Sequence, residues 1–244
     1  MRPSRTADKW SAMRKPKDPE QTRAAIVAAA TDEFALHGLN GARLEAIAKR
    51  TRTTRAMIYY YFGNREGLYR AALEDAYRKI RVAESELDLA HMESSAAMRR
   101  LVEFVFDYYQ RNPSFVALVV AENQCGGRHI RKVHKLRTFN LSIIDTLQQV
   151  LDRGAENGTF RPGLDAIDVH LAISALGFFQ IANRHTFGYI FRRDFSNPRQ
   201  IAEHRRLVVD VMLSYVGSAA LAERHARKRS SPIASSMRSA LVDR

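Results

Sequence analysis

The stretch LEAIAKRTRTTRAMIYYYFGNREGL, residues 44–68, decides the fold of this chain. Leu44, Ile47 and Ala48 fall on one helical stripe, and Ile58 with Phe62 form a second one after a polar turn at Arg52 and Thr53. Two short amphipathic helices joined by three or four residues form the motif that presents its second helix to a DNA major groove. The charge agrees with that geometry. From residue 43 to residue 65 the basic residues are Arg43, Lys49, Arg50, Arg52, Arg55 and Arg65, against the single acid Glu45.

Working outward, the excess of positive charge over the 244 residues is +13, and it is unevenly spread. Residues 1–20 hold six basic and three acidic side chains, residues 21–70 eight and four, and residues 223–244 six and two. The charge thus gathers at the two tails and around the helix pair, which suits a polyanionic partner; a basic tail can equally serve solubility alone. A single cysteine, Cys125, excludes an internal disulfide. No apolar run approaches the roughly 20 residues that span a bilayer. The basic N-terminus lacks the apolar core of a secretory signal, so a cytoplasmic location with no membrane partner is expected.

The pattern predicts helices throughout. Residues 1–17 read as a flexible basic arm that carries the only tryptophan, Trp10. Asp18-Pro19-Glu20-Gln21 supplies a helix start, Ile26, Ala29, Ala30 and Phe34 its apolar face, and Gly38 its end. A fourth helix is expected from Arg65 to about Leu89, and later ones at Leu101–Tyr108, after Asn112-Pro113, from about Arg128 to Ala155, after Asp165 and after Asn197-Pro198. Residues 223–244 read as a basic disordered tail.

The N-terminal block resembles the TetR family of bacterial transcriptional regulators. The matching residues are Ala29, Phe34 and Gly38, then Ile47-Ala48, then Tyr59 with Phe62, then Arg65 and Leu68, spaced without a gap over about fifty residues. The resemblance implies an all-α fold. A three-helix helix-turn-helix DNA-binding domain at 18–68 would join a larger helical ligand-binding and dimerisation domain at 69–222. No catalysis, cofactor or metal is expected. The carboxyl half, with Glu122-Asn123, Phe178-Phe179 and Asn183-Arg184-x-Thr186-Phe187, is similar to a subgroup with regulators of aromatic and N-heterocycle catabolism. Three positions depart from the family pattern: Arg52 where the turn usually has Gly, Arg43 where the cap is Thr or Ser, and Ala56 where Gly is common. Either the turn takes another path at Arg52, or its strain is offset by a phosphate contact.

Position assigns roles on DNA. Thr54 caps the recognition helix, Arg55 is placed to bond guanine edges, and Ala56 or Met57 to touch a thymine methyl. Tyr59 and Tyr60 lie one turn later, where the family resemblance implies contacts to the DNA backbone, while Arg43, Arg52, Thr53 and Arg65 are phosphate candidates. One such reader covers too few base pairs, so a two-fold homodimer on a palindromic double-stranded operator is expected. The stripes Ile167, Leu171, Ser174, Ala175, Phe178 and Ile201, Val208, Val211, Met212, Tyr215 would supply its interface, or else the monomer core.

A small-molecule effector would bind among Phe104, Tyr108, Phe178 and Phe187 with Glu122, Asn123, Asn183 and Arg184, and His134 and Phe115 nearby. Arg184 is the sharpest of these, as a buried guanidinium for an aromatic or carboxylate inducer or as the partner of Glu122. An enzyme finds little support, since His129 and His134 miss the i, i+4 spacing of paired metal ligands and no phosphate-cradling loop is present. A ligand-independent architectural DNA-binding protein is the other alternative.

Overall fold

The computed structural model describes residues 18–218, without the side chains of 137–140; the basic arm and its Trp10, and the tail at 223–244, lie outside the described residues. Among the described residues the chain is built from ten α-helices: α1 Pro19–Gly41, α2 Leu44–Thr51, α3 Arg55–Phe62, α4 Arg65–Ser85, α5 Ser94–Arg111, α6 Pro113–Gln124, α7 Lys135–Glu156, α8 Ala166–Ala182, α9 Arg184–Phe191 and α10 Pro198–Val216. Their starts are set by short polar side chains. Asp18 accepts from the Glu20 amide, Asp165 from the Ile167 and Asp168 amides, and Asn197 from the Arg199 and Gln200 amides. Proline stands at the first position of α1, α6 and α10.

Two apolar cores result. The smaller joins Ile26, Phe34, Leu44, Ile47, Ile58, Leu68, Tyr69 and Leu73 from α1 to α4, together with Leu118 from α6. The larger runs from Ile80 through Leu101, Val105, Phe106, Leu147, Leu151, Val169 and Ile173 to Val208 and Met212. α4 contributes to both, so it is the beam that connects them.

The boundaries differ from the sequence expectation in three places. At Gly38 the backbone turns to φ +66°, which breaks α1 as expected, but the chain makes a further turn of helix to Gly41. α4 stops at Ser85 because Asp88 takes a left-handed conformation, after which a single 3-10 turn covers Leu89–His91. The Arg153 guanidinium from α7 donates to the Leu89, Ala90 and Met92 carbonyls and holds that turn. α7 begins at Lys135 rather than near Arg128. The preceding amides of His129 and Ile130 are taken by the Glu122 carboxylate instead of by a helix. No single helix among the described residues is long and apolar enough to cross a membrane.

Candidate nucleic-acid interface and ligand region

The turn between α2 and α3 is closed by backbone geometry. Arg52 sits at φ 53°, ψ 41°, in the left-handed region, and donates its N–H to the Lys49 carbonyl at 3.3 Å. The Thr53 N–H reaches back to the Ala48 carbonyl at 2.9 Å. These bonds satisfy the last carbonyls of α2, as a glycine would at a helix C-terminus, at a strain cost of about 1–2 kcal/mol for a residue with a Cβ. The turn therefore follows the glycine path despite its arginine.

Thr54 then caps α3, its hydroxyl accepting from the Met57 amide at 3.2 Å. Of the eight residues of α3, Ile58 is fully buried and anchors the helix on α1 and α4. Arg55, Ala56, Met57, Tyr59 and Tyr60 are exposed, Tyr60 at 79%. Two aromatic rings of α3 are thus left to solvent. The exit of the helix is fixed as well. A Cβ on Gly67 would lie 1.9 Å from the Phe62 carbonyl oxygen, so only glycine lets α4 pass this close to the end of α3.

The cations of the region divide into three states. Arg43, Lys49 and Arg52 have exposed side chains. Arg50 and Arg55 are exposed but paired, Arg50 with Asp32 of α1 and Arg55 with Glu45 of α2 at 2.7 Å. Arg55 also donates to the Tyr59 hydroxyl at 3.3 Å. Arg65 departs from the expectation of a phosphate ligand, because its Nη1 donates to the Leu39 and Asn40 carbonyls at 3.3 and 2.9 Å. That guanidinium closes the end of α1, whose last carbonyls would otherwise lack partners.

The expected effector residues do not converge on one place. Glu122 is buried, but its Oε1 accepts the His129 and Ile130 amides at 2.7 and 2.9 Å, and its Oε2 lies 3.0 Å from His129 Nδ1. These bonds hold its carboxyl below the usual range against the effect of burial. Glu122 thus ties down the loop begun by Gly126 and Gly127, and its partner is not Arg184. Asn123 is exposed and bonds the Val119 carbonyl of its own helix, and His134 is exposed too. Arg184 is also exposed, beside His185, since the chain bends by 72° between α8 and α9. Asn183 forms that corner. Neither reading of Arg184 as a buried guanidinium survives this.

Phe104, Tyr108 and Phe178 do lie near one another. The Tyr108 ring is 5.8 Å from Phe104 and 5.9 Å from Phe115, and Tyr109, stacked on Phe115, meets Phe178 edge-on at 5.8 Å. Phe187 belongs elsewhere, to an aromatic group with Phe179, Phe191 and Phe195. It lines a cleft of about 290 Å³ with Arg193, Phe195, Gln200, Glu203, His204 and Leu207.

A polar group absent from the sequence reading sits in the large core. Arg81 Nη1 of α4 lies 2.7 Å from Glu84 Oε2 and 3.4 Å from His170 Nε2 of α8, whose Nδ1 is 3.5 Å from Ser174. Glu84 Oε2 has that ion pair but no hydrogen bond of good geometry, and Arg81 Nε and Glu84 Oε1, also buried, have no hydrogen-bond partner. Burial pushes the Glu84 carboxyl up to about 7 against the pull of Arg81, and burial together with Arg81 pushes His170 down to about 4. The Tyr108 hydroxyl, next to this group, is pushed up to about 12, chiefly by burial. The only sequence signal was an Arg and a Glu, three apart, on the apolar side of α4.

The exposed apolar stripes of α8 and α10 differ in part from those expected. Ile167, Leu171 and Ala175 are exposed on α8, with Phe179 at 54% continuing the line, while Ser174 and Phe178 are half-buried. On α10 Leu207, Val211 and Tyr215 are exposed, whereas Val208 and Met212 are spent on the monomer core and Ile201 packs against it.

Comparison with known proteins follows the same division of the chain. A family model described as bacterial regulatory proteins of the tetR family matches residues 26–72, and one described as a tetracyclin repressor-like C-terminal domain matches residues 95–212. The chain is 33% identical over 194 residues to the HTH-type transcriptional repressor NicS of Pseudomonas putida, covering 80% of this chain and 92% of that protein. It is 32% identical over 106 residues to the HTH-type transcriptional repressor SCO4008 of Streptomyces coelicolor, or 43% of this chain and 52% of that one. A solved tetR-family regulatory protein from Rhodococcus RHA1 superposes with a TM-score of 0.62 at 20% identity, covering 82% of this chain and 98% of that one, and shares its fold.

Proposed function

The chain belongs to the TetR family of DNA-binding transcriptional regulators, which are not enzymes, and on that premise we propose a repressor that grips a palindromic operator as a two-fold dimer and is released by a small-molecule effector. The observation that carries this reading is α3: capped by Thr54, anchored by Ile58, and presenting Arg55, Ala56, Met57, Tyr59 and Tyr60 to solvent. Arg55 faces base edges, and Arg43, Arg52 and Thr53 face phosphates on either side. Residues 18–68 form the reading part, and residues 69–222 the dimer and effector part.

The dimer forms by pairing the exposed α8 and α10 stripes of two copies into a four-helix bundle, which takes Ile167, Leu171, Val211 and Tyr215 out of water. The effector binds beside Phe104, Tyr108 and Phe178. Arg81, whose buried Nε has no acceptor, is the group suited to a carboxylate there, in place of Arg184. Because α4 runs from this region to the small core, a shift of α4 changes the spacing of the two recognition helices.

Selection of bound duplexes from a randomised pool by the full chain tests the reading. An inverted repeat is expected, with a footprint lost when an aromatic carboxylate from a screened set binds. Selection of no sequence at all would overturn it in favour of an architectural DNA-binding protein, and a specific footprint that no compound releases would overturn the effector half.

A further inference from the structure

Glu45 is the one acid between residues 43 and 65, and a carboxylate beside a polyanion is repelled. On electrostatics alone this position works against DNA binding. The geometry gives it a task. Glu45 lies in the first turn of α2, and its Oε1 is 2.7 Å from Nη1 of Arg55, the first residue of α3. The other amine of the fork, Nη2, donates to the Tyr59 hydroxyl at 3.3 Å, and the guanidinium carbon lies 5.8 Å from the Tyr59 ring centroid. Both terminal amines of Arg55 are thus tied, one to each helix of the pair.

An untethered arginine at the tip of a helix samples many rotamers and meets the nearest phosphate as readily as a base. A tethered fork presents a fixed plane, which bidentate reading of a guanine edge requires. We propose that Glu45 is a positioning residue for sequence reading: with Tyr59 it holds the Arg55 guanidinium in one orientation at the start of the recognition helix, favouring a base edge over a phosphate. The inference rests on α3 being the groove-entering helix. It assigns Glu45 a role opposite in sign to its charge, giving up general affinity for discrimination.

The pair is no prop for the fold. The side chains of Arg55 and Glu45 are 54% and 59% exposed, and ion pairs so open to water contribute little to stability. Glu45 also complements the amino end of α2, a role that a glutamine partly keeps but that cannot alter which base is preferred. Glu45→Gln therefore leaves a folded chain, and the readout is a ratio of affinities.

The experiment uses the full chain, its Glu45→Gln and Arg55→Ala variants and the double variant. Each is titrated at one ionic strength with the duplex selected by the unsubstituted chain and with a random-sequence duplex. Glu45→Gln is expected to bind the random duplex more tightly, about twofold, because a repulsive charge is gone. It should lower the preference for the selected duplex about fivefold or more, and Arg55→Ala at least as much. In the Arg55→Ala background the glutamine should change no base preference.

If Arg55→Ala selects the same sites as the unsubstituted chain, or if that chain selects none, the reading of α3 fails and takes this inference with it. If Arg55→Ala alters selection while Glu45→Gln leaves the ratio unchanged, the positioning role alone is overturned. A base preference altered by Glu45→Gln in the double variant also overturns it, because Glu45 would then read a base itself.

Discussion

The Ser114 hydroxyl at the start of α6 donates to Asp32 Oδ1 on α1 at 3.2 Å, and the other oxygen of Asp32 holds Arg50 at the end of α2. One carboxylate therefore joins three helices, two in the reading part and one in the body. Ser114→Ala is expected to cost about 1 kcal/mol in urea unfolding, the worth of one half-buried hydrogen bond. Asp32→Ala should cost more, since it leaves both the hydroxyl and the guanidinium without this partner. Equal stability of all three chains would show the link to be ornamental.

Arg52→Gly separates strain from phosphate contact. The left-handed conformation at φ 53° favours glycine, so the variant should melt no lower than the unsubstituted chain and gain up to about 1 kcal/mol. If the guanidinium also contacts a phosphate, the plot of log affinity against log salt flattens by about one. A lower melting temperature would mean that the side chain stabilises the turn in a way the backbone does not reveal.

The proposed dimer predicts that a charge on either exposed stripe disrupts it. Leu171→Glu on α8, 65% exposed, and Val211→Glu on α10, 43% exposed, leave the monomer core intact but bury a carboxylate on association. Sedimentation should report monomers with unchanged helical content. Operator affinity should fall at least tenfold, as the two half-sites are then bound separately. Dimers that persist in both variants would place the interface elsewhere.

The Arg81–Glu84–His170 group predicts a masked pH dependence. Glu84 has its folded value raised from 4.5 to about 7, so the folded chain holds the extra proton and stability falls as pH rises from about 4.5 to 7. His170 has its folded value lowered from 6.5 to about 4, so the unfolded chain holds the extra proton and stability is lost as pH falls from about 6.5 to 4. The two slopes oppose each other between about 4.5 and 6.5. Relative to the unsubstituted chain, Glu84→Gln should make stability climb with pH across that window, by up to about 1 kcal/mol per pH unit, and His170→Asn should make it decline. Parallel curves for all three would remove the group from the pH response.

The helix pair could be read from the sequence because its determinants are local. The Thr54 cap, the Ile58 anchor and the stripe Leu44, Ile47, Ala48 lie within twenty residues, where periodicity and capping rules apply. The core of α1 was legible for the same reason. Misreadings arose where a polar side chain could choose among distant partners. Glu122 has its partners seven and eight residues on, in a loop whose path is set by two left-handed glycines. The fate of Arg184 was decided by the bend at Asn183, and that of Arg65 by carbonyls 25 and 26 residues earlier. Arg81 and His170 are 89 residues apart, and no spacing rule connects them. In α10 the period was right, but neighbours such as Val208 and Val211 divide between inside and outside, and only the packing of the body says which.

Leu118 is fully buried in the small core although it comes from α6. The reading head is therefore not a detachable module. Cut after α4, it would leave a hole where that leucine sits, with a penalty on the order of the 2–5 kcal/mol seen when a buried leucine is lost. Grafting this head onto the body of another regulator calls for a leucine-sized plug from the recipient's own sixth helix, so its freedom to recombine is set by a residue that no head-only boundary would include.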